Sequence, residues 1–295
     1  MSASHGPPEI FDSRRRAAKL ARGEKAFASA DFLHVRAAAN AVNSLEVILR
    51  DFSDVVDLSA HPGPFADLLA GSAAARRVGP VRPVGDTAAR AAPGSAALPL
   101  QPQSQDLVVS LMSLHWANDL PGALAQIRRA LRPDGLFLGT LLGGGTLKEL
   151  RAALTQAELE VRGGAQARVS PFADGFDGAA LLQRAGFALP VADVDRVTVR
   201  YPDLYALVHD LRAMGETNAL AGAIRPMTRG MLARTAEVYA EQFAEPDGRI
   251  PATFEIIHLA GWAPHESQQK PLPRGSAKMR LADALGVREW TGEEE

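Results

Sequence analysis

His115, Trp116 and Glu216 are the residues of this chain with the most chemistry to offer, because each stands where a regular element ends. His115 and Trp116 follow the apolar run 106–111. An imidazole at the carboxyl end of a buried strand can hold a ligand or move a proton. It can equally pack with Trp116 to brace the loop. Glu216 and Asn218 follow Met214-Gly215 at a helix end. A carboxylate there suits a guanidinium, although polar residues after a glycine also close helices. Thr146, Glu149 and Arg151 follow Gly143-Gly144-Gly145. Thr146 with Glu149 three residues on has the spacing of a capping box; the other reading puts all three at the mouth of a substrate pocket. His115 and Glu216 are thus the catalytic candidates. Trp116, Thr146, Glu149, Arg151, Glu216 and Asn218 are the substrate-binding candidates.

Other chemistries are excluded by composition. The chain has no cysteine, which removes thiolate nucleophiles, disulfides and thiolate metal sites. His258, His265 and Glu266 are the metal-type side chains of the C-terminal part, but no ligating third spacing accompanies them, so no metal is expected. The Arg14–Arg22 cluster reads as a solvated helix face. A net charge of -2 gives no global pull toward nucleic acid. The apolar run 136–142 is far too short to cross a bilayer. Without a secretory pattern, and with Glu9, Asp12 and Glu24 interrupting the N-terminal arginines, the chain reads as a bacterial cytoplasmic protein.

The elements that must position these residues alternate. Helical periodicity covers about 10–50, with Asp31 as an N-cap between two helices. Strands are expected at 54–58, 78–84, 106–111 and 136–142, and helices at 65–70, 120–131, 147–159 and 177–185, the last stopped by Gly186. Then come a strand at 191–201, helices at 203–214 and 227–243, and a strand at 253–259. This is an α/β, doubly wound sheet with a reversed pair at one edge. The domain reading is an N-terminal helical extension (1–50), a main domain (51–265) with a helical insertion at about 202–245, and a C-terminal tail (266–295). Ligands of such sheets bind outside the carboxyl ends of the strands.

The loop after the first strand reads Asp57-Leu-Ser59-Ala60-His61-Pro62-Gly63. It lacks the Gly-x-Gly-x-x-Gly of a nicotinamide site. An ordinary turn into a helix also accounts for Pro62 and Gly63.

Longer segments carry a family resemblance. They are Ser113-Leu-His-Trp116, Gly144-Gly-Thr-Leu147, Arg184-Ala-Gly-Phe187, Met214-Gly-Glu-Thr-Asn218, Gly261-Trp262 and His265-Glu-Ser-Gln268, with Ile10-Phe11-Asp12 near the start. Together they resemble the methyltransferase-like complex I assembly factors, of the arginine-hydroxylating kind. The carrier-protein methyltransferases of biotin synthesis are a more distant likeness. The resemblance implies a class I methyltransferase fold, Rossmann-like with seven strands, N-terminal helices and a helical insertion before the last strand. It also implies an S-adenosylmethionine site at the switch point, and a complex I subunit as protein substrate or client. The site would draw on Asp57, Ser59, His61, Gly63, Asp86, Ser110, His115 and Trp116. The implied activity is methylation or hydroxylation of an arginine; a catalytically silent chaperone of the same fold is the alternative. This chain departs from the family's Asp-Leu-Gly-Cys-Gly-x-Gly loop at Ser59, Ala60 and His61. Asp86 comes late for the acid that holds the ribose, and Gly94 stands where an adenine-facing acid is expected. Each lost charge-assisted hydrogen bond costs ~1.5–3 kcal/mol, so two would weaken a ligand on the order of 100-fold.

Overall fold

The computed structural model describes residues 9–86, 98–172 and 178–269, with isolated positions 276, 279, 283, 284 and 286. Gly94 lies outside the described residues. The chain divides into two compact units, Met1–Pro264 and His265–Glu295. Every element below belongs to the first.

Two helices lead in. α1 (Ser13–Gly23) starts at Asp12, whose carboxylate accepts from the amides of Arg14 and Arg15 at 3.0 Å each. These are donors that a helix start otherwise leaves unpaired. α2 (Phe32–Val47) follows a short 3-10 turn, and Asp31 stands at its N-cap without a side-chain bond. The alternation then begins: β1 (Val55–Asp57), α3 (Gly63–Ala70), β2 (Val81–Pro83), β3 (Gln105–Leu111), α4 (Leu120–Ala130), β4 (Leu131–Leu142) and α5 (Lys148–Arg162). It closes with α6 (Gly178–Arg184), β5 (Ala188–Tyr201), α7 (Leu204–Ala213), α8 (Arg229–Phe243) and β6 (Ile250–Trp262). Gly186 after α6 has φ of +86°, the left-handed stop expected of it.

The described strands form one sheet in the order β2-β1-β3-β4-β6-β5. β2, β1, β3 and β4 are parallel, and β6 runs antiparallel to both β4 and β5. The sheet thus has six strands among the described residues, where seven were expected. The fold class stands: an α/β sheet of the class I methyltransferase type, with its reversed last strand. Side chains of the parallel strands alternate between two cores. Val55, Leu107, Val109 and Leu138 face α2 residues such as Leu33 and Val42 on one side. Val56, Val108 and Phe137 face α4 residues Leu124 and Ile127 on the other. That double burial is why these strands are nearly continuous apolar runs. The edge strand β5 has one half-exposed face and alternates instead.

The capping box expected at Thr146 and Glu149 does not form. α5 starts one residue later, with Leu147 at the N-cap in the left-handed conformation (φ 53°) and no side-chain cap. The cause is β6. Thr146 Oγ1 accepts from the Glu255 amide at 3.1 Å and donates to its carbonyl at 3.2 Å. Glu149 accepts from the Thr253 amide at 3.1 Å and its hydroxyl at 2.6 Å. Tertiary partners outbid the local cap for both side chains.

Candidate functional site

The floor of the site is the carboxyl end of β1 and β3. Asp57 is fully buried; one carboxylate oxygen accepts from the Ser59 amide at 2.8 Å and the other has no partner among the described residues. Burial pushes its carboxyl up, against the opposing bonds from Ser59. The Ser59 hydroxyl accepts from the Leu111 amide at 2.8 Å, tying the first loop to the end of β3. A side chain thus stitches the loop where the family pattern has glycine. Ser110 is fully buried and its hydroxyl has no partner among the described residues. Around Gly63, by contrast, a Cβ would meet nothing within 4 Å.

His61 leaves this floor for the N-terminal helices. Its ring stacks on Phe27 at 3.8 Å between centroids, and meets His34 edge-on at 5.2 Å. Burial pushes the His61 imidazole down. Burial, then the neighbouring His61, pushes His34 down to about 3. Both rings are therefore neutral at physiological pH.

A buried charge cluster sits above β3. A 3-10 turn, Leu114–Trp116, turns His115 and Trp116 inward. His115 Nε2 lies 3.0 Å from Glu216 Oε2, and Trp116 Nε1 donates to the same oxygen at 3.0 Å. The other Glu216 oxygen lies 3.0 Å from Arg16 Nη2. Arg16 also donates to the Gly215 carbonyl at 2.6 Å, and its guanidinium carbon stands 4.9 Å above the Trp116 ring. Its Nε is 3.4 Å from Asp86, which accepts from the Ser113 hydroxyl at 2.7 Å. Burial alone would raise the Glu216 carboxyl, but Arg16 and His115 outweigh it and hold it at about 2. Gly215 has φ of +76°, and a Cβ there would come within 2.9 Å of Leu20. Glycine is thus required for the turn that delivers Glu216.

The structure brings together His115, Trp116, Glu216 and Asp86, and places Asp57, Ser59, Gly63 and Ser110 at the strand ends below. It does not bring Thr146, Glu149 or Arg151 to this cluster. The first two bind β6, and Arg151 donates to the carbonyls of Gly144 and Thr146 at 3.3 Å. Asn218 is likewise a loop staple, donating to the Arg168 carbonyl at 2.8 Å and accepting from the Leu220 amide at 2.9 Å. The reading of Arg14–Arg22 as a solvated face missed Arg16, which is 2% exposed.

Comparison with known proteins supports this architecture. Residues 69–139 match the family model of a methyltransferase domain. The chain is 45% identical over 186 residues to the mitochondrial arginine-hydroxylase NDUFAF5 of Danio rerio, covering 63% of this chain and 58% of that protein. It is 44% identical over 186 residues to the Homo sapiens NDUFAF5, covering 63% and 54%. The family resemblance holds. The malonyl-[acyl-carrier protein] O-methyltransferase of Methylovorus sp. also matches, 42% identical over 168 residues, covering 57% of this chain and 54% of that protein. The chain thus spans a little over half the length of the curated relatives it matches. The expectation of a bacterial cytoplasmic protein is overturned, because the NDUFAF5 relatives are mitochondrial. Among the described residues no helix is long and apolar enough to cross a membrane.

Proposed function

We propose that this chain acts on a complex I subunit during assembly, modifying an arginine side chain by methylation or hydroxylation. One observation carries this reading. Glu216, the Gly215 carbonyl and the Trp116 face already hold a guanidinium, that of Arg16. A flat cation with donors in its plane wants a carboxylate at the edge and an aromatic face above. A substrate arginine presents the same group. The NDUFAF5 relatives, named arginine-hydroxylases, support it. His115, hydrogen-bonded to Glu216 and with a buried Nδ1 that has no partner among the described residues, is the group positioned to take or give a proton.

The family implies S-adenosylmethionine. The residues present fit a polar ligand at the strand ends. Asp57 and Ser110 each bury a polar oxygen with no partner among the described residues, a costly state that a ligand relieves. The side of Gly63 is open. Asp57, Ser110 and Gly63 would hold the ligand, which supplies a transferable methyl group when bound.

The second reading is a silent chaperone of the same fold. It is favoured by the commitment of Ser59 to Leu111 and of Asp86 to Arg16 and Ser113, which leaves the usual cofactor contacts engaged inside the protein. Calorimetry with S-adenosylmethionine separates the two. Saturable heat that is weakened about tenfold by Asp57→Ala supports the enzyme. No heat and no thermal shift at millimolar ligand supports the chaperone.

A further inference from the structure

A cavity of about 840 Å³ opens beside the Arg16–Glu216 cluster, between α1, α5, α7 and residues 224–227. Neither the strand-end residues Asp57, Ser59 and Ser110 nor the β6-bound Thr146 and Glu149 line it. Its floor is aliphatic and aromatic: Leu150 and Leu154 of α5, Leu204, Val208 and Leu211 of α7, and Phe172. Its rim is basic, with half-buried Lys19 and exposed Arg22 of α1, exposed Arg212 of α7, and exposed Arg225.

The charges on this rim are not balanced. Of the other charged groups lining the cavity, Arg15 pairs with Asp12, Arg168 with Glu158, and Glu216 with Arg16 and His115. Among the described residues no carboxylate lies within ion-pair distance of Lys19, Arg22, Arg212 or Arg225. Among the described residues the Lys19 ammonium donates to the Thr217 hydroxyl alone, at 2.9 Å. Burial, then the surrounding Arg22, Arg15, Arg212 and Arg16, pushes that ammonium down. Like charges gathered at the mouth of an apolar cavity, although partly screened by water at the exposed arginines, raise the local potential and favour an anion there. The size is that of a small-ligand site.

We propose that this cavity binds an aliphatic anion, a hydrocarbon chain lying on the α5–α7 floor with a carboxylate or phosphate head against Lys19, Arg22 and Arg212. The arrangement answers both halves of such a molecule at once. A simple inorganic anion would leave the leucine floor wet, and a neutral hydrocarbon would leave the cations uncompensated. A cationic peptide is repelled by the same rim. Glu216 lines one side of the same cavity, but the inference rests on the α5–α7 floor and the cations opposite, not on the chemistry proposed at Glu216.

The test is calorimetric titration of the full chain with dodecanoate, dodecyl phosphate, dodecanol and dodecyltrimethylammonium, each below its micelle concentration. Decanoate and octanoate complete a chain-length series. Saturable binding of the two anions is expected, with affinity falling up to roughly fourfold per methylene removed. The alcohol and the ammonium should bind at least about tenfold more weakly. Arg212→Glu should weaken dodecanoate about tenfold. Val208→Trp, which fills the floor, should abolish the chain-length trend; circular dichroism checks that both variants fold. Sedimentation with phosphatidylglycerol vesicles tells the two sources apart. Binding to soluble dodecanoate alone marks a free acid, and vesicle binding lost in Arg212→Glu marks a chain drawn from lipid. Absence of saturable binding, equal binding of the anion and the ammonium, or affinity indifferent to both variants overturns the proposal.

Discussion

Replacing Glu216 by glutamine tests the buried cluster most sharply. The carboxylate and Arg16 are each 2% exposed at the side chain and 3.0 Å apart. Removing one charge strands the other, which typically costs about 3–5 kcal/mol. The titration of Glu216 gives a similar figure. Its carboxyl moves from the ordinary 4.5 to about 2, and that displacement corresponds to about 3 kcal/mol. The sign follows from the direction. A lowered carboxyl stabilises the fold fully above its ordinary value, and that contribution is lost as pH falls from 4.5 toward about 2. Glu216→Gln should therefore lower the melting temperature at neutral pH by roughly 10 °C, at about 2–4 °C per kcal/mol for a domain of this size. It should also lose the wild-type acid transition in that window. The double variant Arg16→Met, Glu216→Gln should recover part of the loss, because the guanidinium is then no longer buried without the Glu216 carboxylate, while Asp86 keeps its bond from the Ser113 hydroxyl. Urea and thermal unfolding of the four proteins complete the cycle. A single variant within about 0.5 kcal/mol of wild type, or a double variant as damaged as the sum of the singles, refutes the buried pair.

Three further outcomes are expected. His34 is held down to about 3, so the wild-type fold should lose stability as pH falls below 6.5, and His34→Leu should flatten that slope in a series of melting curves. Asp57 is pushed up by burial, so its ionised form weakens the ligand-free fold as pH rises through its ordinary value and beyond; Asp57→Asn should raise neutral-pH stability by about 1–2 kcal/mol in urea titrations, and added ligand should narrow the gap. Ser59→Ala orphans the buried Leu111 amide and should cost about 1–3 kcal/mol, read by the same titrations.

The parallel strands were legible because burial on both faces leaves a run such as Leu107–Leu111 almost wholly apolar. The reversed edge was legible because β5 alternates charged and branched residues. His115, Trp116 and Glu216 could be picked out because each follows an element end, and the structure joins them. Arg16 could not, since its value depends on Gly215, 199 residues away. Thr146 and Glu149 were misread as a cap for a similar reason: local spacing was right, but β6 competes for both side chains. Gly143 and Gly145 make room for the Glu255 carboxylate, a need set by a residue more than a hundred positions away.

Mass spectrometry of a complex I subunit coexpressed with this chain bears most directly on the proposed function. The account predicts that one arginine of the subunit gains the mass of a methylene or of an oxygen atom, and that Glu216→Gln abolishes the gain. A subunit set whose masses are the same with and without the chain contradicts it.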